Sequence, residues 1–297
     1  MRKAQCVLAV ILVTVSGTRT MSGQALLGTQ AAADEGNAEA QFLIGAMHDL
    51  GLGVPEDDTE AVRWYRLAAE QGHAEAQSSL GLMYDIGSGV PQDAAEAARW
   101  YRLAAVQGQA EAQFNLGTMY SAGRGVPEDA AEAVRWYRLA AAQGYLPAQL
   151  SLGAIYSDGR GVTVDHAEAM RWYRLAAAQG DARAQFGLGL MYDTGSGTPE
   201  DDAEAVHWYR LAAAQGYPEA QLALGFAYAN GEGVPTQGTA AYFWINTAMP
   251  RLAPDQRSFA QSIRDSLTGL DPSEILRIQG ASTACAMAEY RNCQPPN

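Results

Sequence analysis

Lysine is all but missing from this chain: among 297 residues, Lys3 is the only one. Every mechanism that needs a lysine later in the chain is therefore excluded. That removes the phosphate-gripping P-loop lysine, Schiff-base catalysis and the Ser-x-x-Lys site of penicillin-recognising enzymes. Positive charge as a whole is in the minority, with 20 basic residues against 33 acidic ones and a formal net charge of −13. Such a surface repels phosphate backbones and anionic lipids, so neither nucleic acid nor a membrane surface is an expected partner. Long apolar runs are lacking too. The run from Ala4 to Val15 is broken by Gln5, Cys6 and Thr14, and a bilayer span takes about 20 apolar residues. No integral membrane span is expected.

That short run does fit a secretory leader. Arg2 and Lys3 precede it, small residues follow it, and cleavage after Gly17 or Ala25 would release the mature chain. A signal peptide over 1–25 is expected, which places the protein in the periplasm or outside the cell. If Met21 is the true start the leader disappears and the protein is cytoplasmic. Cysteine is as scarce as lysine. With Cys6 removed, Cys285 and Cys293 remain, an even count that suggests one disulfide in an exported protein. Eight residues of continuous helix rise about 12 Å, and disulfide Cα atoms lie within about 7 Å. The helix must then end between the two cysteines; otherwise both stay as unpaired thiols.

What is abundant is regularity. The six tryptophans, Trp64, Trp100, Trp136, Trp172, Trp208 and Trp244, are each 36 residues from the next. A fixed period of this length marks stacked supersecondary units. The copies begin at Ala38, Ala74, Ala110, Leu146, Ala182 and Pro218. In each, two segments carry apolar residues at helical spacing, as with Ala112, Leu116, Met119 and Tyr120, then Ala133, Trp136, Tyr137 and Ala140. Between them runs Gly-x-Gly-Val-Pro-x-Asp, a turn in which glycine supplies restricted backbone angles and proline blocks helix continuation. Gly117 and its counterparts sit inside the first helix, where the absent side chain lets helices approach. Asp57, Asp93, Asp129, Asp165 and Asp201 each precede a glutamate by three residues, predicting reciprocal capping boxes at the second helix. Ala31 to Asn37 matches the end of a second helix, as in Ala68 to His73, so that 26–37 form an N-terminal half-repeat cap. Six repeats fill 38–253. In 254–297, helices near 254–268 and 272–290 are expected to close the array, the latter opened by Asp271-Pro272-Ser273-Glu274. The fold class is all-α, an α/α superhelical solenoid with its tryptophans as core between layers.

The pattern Ala…Leu-Gly-x-Met-Tyr…Gly-x-Gly-Val…Asp…Ala…Trp-Tyr…Ala-Ala…Gln-Gly resembles the Sel-one-like repeat, a relative of the tetratricopeptide repeat. The resemblance covers about 38–250 and departs at the ends, where His48 replaces the tyrosine and Ile245-Asn246 replaces Tyr-Arg. It implies a scaffold or adaptor rather than an enzyme. Some cysteine-rich relatives are linked to penicillin binding or hydrolysis, which keeps a cell-wall or β-lactam-related hydrolase as the alternative. This chain lacks a cysteine pair in each repeat.

No residue set points to catalysis, a cofactor or a metal. The Gly-x-Gly turns join helix to helix and carry no lysine, so they do not cradle phosphate. The turn aspartates lack calcium-loop spacing, and His48, His73, His166 and His207 occupy four different repeat positions. One set exceeds architectural need. On the first helix, opposite the Ala40, Ile44, Met47 face, Phe42, Phe114, Leu150, Phe186 and Leu222 recur at one position, and Leu82, Leu190 and Phe226 at another. Asp85 and Asp193 neighbour them. In the related repeats this face lines the concave groove. Either these side chains form an exposed apolar stripe that binds a partner, or tight curvature buries them between adjacent first helices. The stripe would take a protein or peptide that is basic or amphipathic; no oligomeric state is implied.

Overall fold

The computed structural model describes residues 23–267, 269–288 and 293–295. The expected leader lies outside them apart from 23–25. The described residues form fifteen α-helices and no strand. They fall into two compact units, Met1–Ala148 and Gln149–Asn297.

Each repeat is a first helix, a turn and a second helix, and consecutive helices pack in pairs as an α/α solenoid. The first unit holds α1 (Gly23–Asp34), α2 (Ala38–Leu50), α3 (Asp58–Glu70), α4 (Ala74–Ile86), α5 (Ala94–Val106), α6 (Ala110–Ala122) and α7 (Ala130–Ala142). Helix α8 (Leu146–Asp158) begins at the unit boundary. The second unit continues with α9 (His166–Ala178), α10 (Ala182–Asp193), α11 (Asp202–Ala214), α12 (Pro218–Asn230) and α13 (Gly238–Ala248). After a 3-10 turn come α14 (Pro254–Ser266) and α15 (Pro272–Met287).

The glycine inside each first helix has a steric cause. A Cβ on Gly117 would stand 2.9 Å from the ring of Tyr137 on the second helix, so the two backbones close around a tyrosine edge. In the turn, Gly125 has φ 67° and a Cβ there would overlap the carbonyl of Ala94 in the preceding repeat. The turn of one repeat is thus seated on the helix start of the one before it.

The second helices begin on their aspartates, but the capping box is only half formed. Asp129 accepts from the Glu132 backbone N–H at 3.0 Å. The return bond is not made, because the Asp129 N–H already donates to the Tyr120 carbonyl at 3.0 Å. The freed glutamate instead meets the arginine one turn on, as in Glu132–Arg135 at 3.4 Å. A reciprocal box does form at Asp271 and Glu274, where the Asp271 N–H donates to the Glu274 carboxylate at 3.4 Å.

A glutamine ladder was not anticipated. Buried Gln77 donates to the Ala69 carbonyl at 3.0 Å and accepts from Gln107 at 2.7 Å. Gln113 repeats this with Ala105 and Gln143. In the second unit Gln221 bonds the Ala213 carbonyl, and Arg251 stands in for the glutamine donor at 3.0 Å. Buried amides must be satisfied, and here the satisfying partner is the neighbouring layer. Ala33 in α1 receives Gln41 in the same geometry, at 3.1 Å, so α1 occupies the place of a second helix. Trp100 and Trp136 each join a core cluster formed mainly by the repeat before their own, which makes these two tryptophans core between layers. At the far end Phe243 and Trp244 of α13 share a cluster with Ile278, Cys285 and Cys293. Cys285 is disulfide-bonded to Cys293 with Cα atoms 5.5 Å apart, and α15 ends between them at Met287.

Candidate functional site

The first-helix face divides by unit. In the first unit it is largely closed by its own side chains. Phe42 is only 2% exposed, stacked on His73 at 4.9 Å and tilted against Tyr65 at 5.8 Å. Of the two arrangements left open by the sequence, an exposed stripe or burial, this position shows burial. The side chain leans onto the tyrosine of its own second helix, and the capping residue of the next repeat covers it. Phe114 is half-buried between Tyr137 and Tyr145, both at 5.5 Å. Leu82 is half-buried against the core formed mainly by its own second repeat. The acid beside them is neutralised: Arg124 donates to both oxygens of Asp85, at 2.9 and 3.3 Å.

In the second unit the corresponding face is open. Leu150 is half-buried and stands apart, but Phe186, Leu190, Leu222 and Phe226 line one cavity of about 450 Å³. Leu190 is 40% exposed, while Leu222, 8% exposed, forms part of the floor. Phe186 is wedged between Tyr209 at 5.7 Å and Tyr217 at 5.2 Å. The end wall comes from α14, whose Phe259 meets Phe226 edge-on at 5.3 Å and is 55% exposed.

The cavity is also acidic. Asp193, Asp202, Glu219 and Glu232 line it, and among its described lining residues there is no arginine, lysine or histidine. Asp193 accepts a hydrogen bond from the Tyr209 hydroxyl at 3.0 Å. Burial of that phenol, then the Asp193 charge beside it, raises its pKa far above the usual value, so it stays a donor. Glu232 accepts from the Asn230 amide at 3.0 Å. No group of His, Cys, Asp or Glu side chains among the described residues could hold a metal ion.

Five of the cavity's residues, Phe186, Leu190, Leu222, Phe226 and Asp193, were legible as a periodic set. Asp202, Glu219, Glu232, Phe259 and Ile263 were missed. Phe259 and Ile263 lie beyond the periodic region. Glu232 had a signal that went unread: the residue between the two turn glycines varies as Leu52, Ser88, Arg124, Arg160, Ser196 and Glu232. No helix among the described residues is long and apolar enough to cross a membrane.

Comparison with known proteins bears on the repeat directly. The Sel1 repeat family model matches residues 38–73, 74–109, 110–145, 146–181, 182–217 and 218–248. The chain is similar in structure to a protective antigen of uropathogenic Escherichia coli with the SLR fold, at 38% identity and a TM-score of 0.77. That match covers 89% of this chain but only 57% of the antigen's length. A Sel1 repeat protein from Oxalobacter formigenes matches at 35% identity and a TM-score of 0.62, over 78% of this chain and 90% of that one. No curated protein matches the sequence.

Proposed function

From the premise that the chain belongs to the Sel1 repeat family, whose members generally act as scaffolds for protein–protein interaction, we propose an exported, non-enzymatic scaffold that holds a basic, amphipathic segment of a partner protein in the groove of its C-terminal unit. One observation carries this reading: an apolar cavity of about 450 Å³ rimmed by four carboxylates and by no basic side chain among its described lining. Aromatic and aliphatic anchors supply contact area, and the acidic rim selects the sign of the partner and speeds its approach. The leader-like Arg2, Lys3 and Ala4–Val15 segment supports export. No observation favours a cell-wall or β-lactam-related hydrolase.

The test is partner capture from a periplasmic fraction with the wild-type chain and with Leu190→Asp and Phe259→Asp, two exposed lining positions on different helices. The expected result is a set of proteins retained by wild type, eluted by salt and lost from both variants. Equal retention by all three refutes the groove. N-terminal sequencing of the mature protein tests export, and a sequence beginning at Met1 or Met21 refutes it.

A further inference from the structure

We propose that the C-terminal groove reads an arginine of its partner, seating the guanidinium among Asp193, Asp202 and Glu232. This rests on the groove reading above and specifies what that groove recognises.

The molecule contains its own template for the contact. Asp85 and Arg124 lie 39 residues apart, the arginine between its two turn glycines, and they form a two-pronged pair. At the same two repeat positions in the C-terminal unit stand Asp193 and Glu232, also 39 apart. The carboxylate is retained, and the residue that supplied its guanidinium has become a second carboxylate. A further repeat-related pair meets at the same turn. Ser88 donates to Asp58, 30 residues earlier, whereas Glu232 has Asp202 in that relation. The turn seats as it does elsewhere, since a Cβ on Gly233 would overlap the Asp202 carbonyl, as one on Gly89 would overlap that of Asp58. Three acids therefore border one cavity at a turn where the N-terminal unit places an arginine and a serine.

Like charges lining one cavity, with no basic side chain among its described lining, favour binding of a cation, and the geometry selects its kind. The acids are not grouped so as to hold a metal ion. A guanidinium is planar, carries five N–H donors and bridges separated oxygens, whereas an ammonium is a point charge. Tyr209 and Asn230 hold Asp193 and Glu232 by hydrogen bonds at 3.0 Å, fixing acceptors in advance. Phe186, Leu190, Phe226 and Phe259 surround the acids and suit aliphatic or aromatic neighbours of the arginine.

The experiment is selection of random peptides displayed on phage against the full chain and against Glu232→Arg, Leu190→Asp and Phe259→Asp, with folding of each checked by circular dichroism. The best wild-type peptide is then synthesised with its arginine kept, or replaced by lysine or by neutral citrulline, and titrated by fluorescence anisotropy. Wild type should enrich one arginine flanked by apolar residues, citrulline should weaken binding about tenfold or more, lysine should fall between, and Glu232→Arg should lose the arginine preference. If apolar peptides are enriched without arginine, and Glu232→Arg selects the same ones, the arginine inference is overturned while the groove stands. If Leu190→Asp and Phe259→Asp select what wild type selects, the groove reading falls and this inference with it.

Discussion

At one pair of repeat positions the N-terminal unit has Asp85 clasped by Arg124, and the C-terminal unit has Asp193 opposite Glu232. The paired turn glycines stand at matching positions in both, Gly123 and Gly125 in one and Gly231 and Gly233 in the other, all with positive φ. Yet the first arrangement is a closed internal pair and the second leaves carboxylates around a cavity of about 450 Å³. Aromatic cover is shared, since Phe186 is wedged between Tyr209 and Tyr217 as Phe114 is between Tyr137 and Tyr145; exposure differs at the neighbouring position, where Leu82 is half-buried and Leu190 is 40% exposed. The repeat sets where side chains stand; the residues that vary within it decide whether a face is used up internally or left for a partner.

The comparison breaks most forcefully at the tryptophans. Trp136 is buried in the core of the preceding repeat, whereas Trp208 is only half-buried. Trp136→Ala should cost about 3–5 kcal/mol and Trp208→Ala nearer 2 kcal/mol. Hydrogen exchange resolved by helix should show it, because a repeat array need not unfold as one transition. Equal loss of protection would mean that indole burial does not set layer stability.

Next in size is the covalent lock, which among described cysteines belongs to the C-terminal unit alone. Closing a loop of this length stabilises by about 2.5 kcal/mol in the chain-entropy account. Reduction should therefore weaken protection in α13 and α15 and leave α2 to α5 unchanged. Uniform weakening would contradict that confinement.

High pH acts on both units through their buried tyrosines. Burial first, then Asp85 for Tyr101 and Asp193 for Tyr209, raises both phenols above their ordinary value. Above pH about 10 the unfolded chain releases these protons and the folded chain retains them, so stability falls as pH rises. The slope is about 1.4 kcal/mol per pH unit for each such tyrosine. Tyr101→Phe should remove one share of the slope from the N-terminal unit and Tyr209→Phe one from the C-terminal unit. An unchanged alkaline slope in both variants would rule this out.

Most of this fold could be read before any coordinates, because a 36-residue period repeated six times fixes helix, turn and layer together. The glycine at position 117 and the capping aspartates were legible for the same reason. What stayed hidden depends on contacts between repeats. The return half of the capping box fails because a carbonyl nine residues upstream, such as that of Tyr120 for Asp129, takes the donor. The glutamine ladder joins residues 30 apart, as in Gln77 and Gln107. The stripe was found by periodicity, but its exposure depends on the capping residue of the following repeat, which a helical wheel does not include. Glu232 stands at the one variable place between two invariant glycines, where the period carries no information about the side chain.

The smallest effect sharpens the comparison most, since it exchanges the two arrangements directly. Arg124→Glu gives the N-terminal unit the C-terminal charge pattern, and Glu232→Arg does the reverse. The Asp85–Arg124 pair is partly exposed, with side chains 16% and 45% accessible, so its loss should cost only about 0.2–1 kcal/mol. Placing a second acid beside Asp85 adds repulsion of similar size. Glu232→Arg should gain a comparable amount by pairing with Asp193. Both changes should shrink as salt rises, because at 1 M the screening length falls to about 3 Å. Melting temperature at low and high ionic strength therefore gives a signed, salt-dependent difference: down for Arg124→Glu and up for Glu232→Arg at low salt, with the two converging at high salt. Shifts of the same sign, or shifts indifferent to salt, would show that Asp193 and Glu232 are not the open counterpart of Asp85 and Arg124.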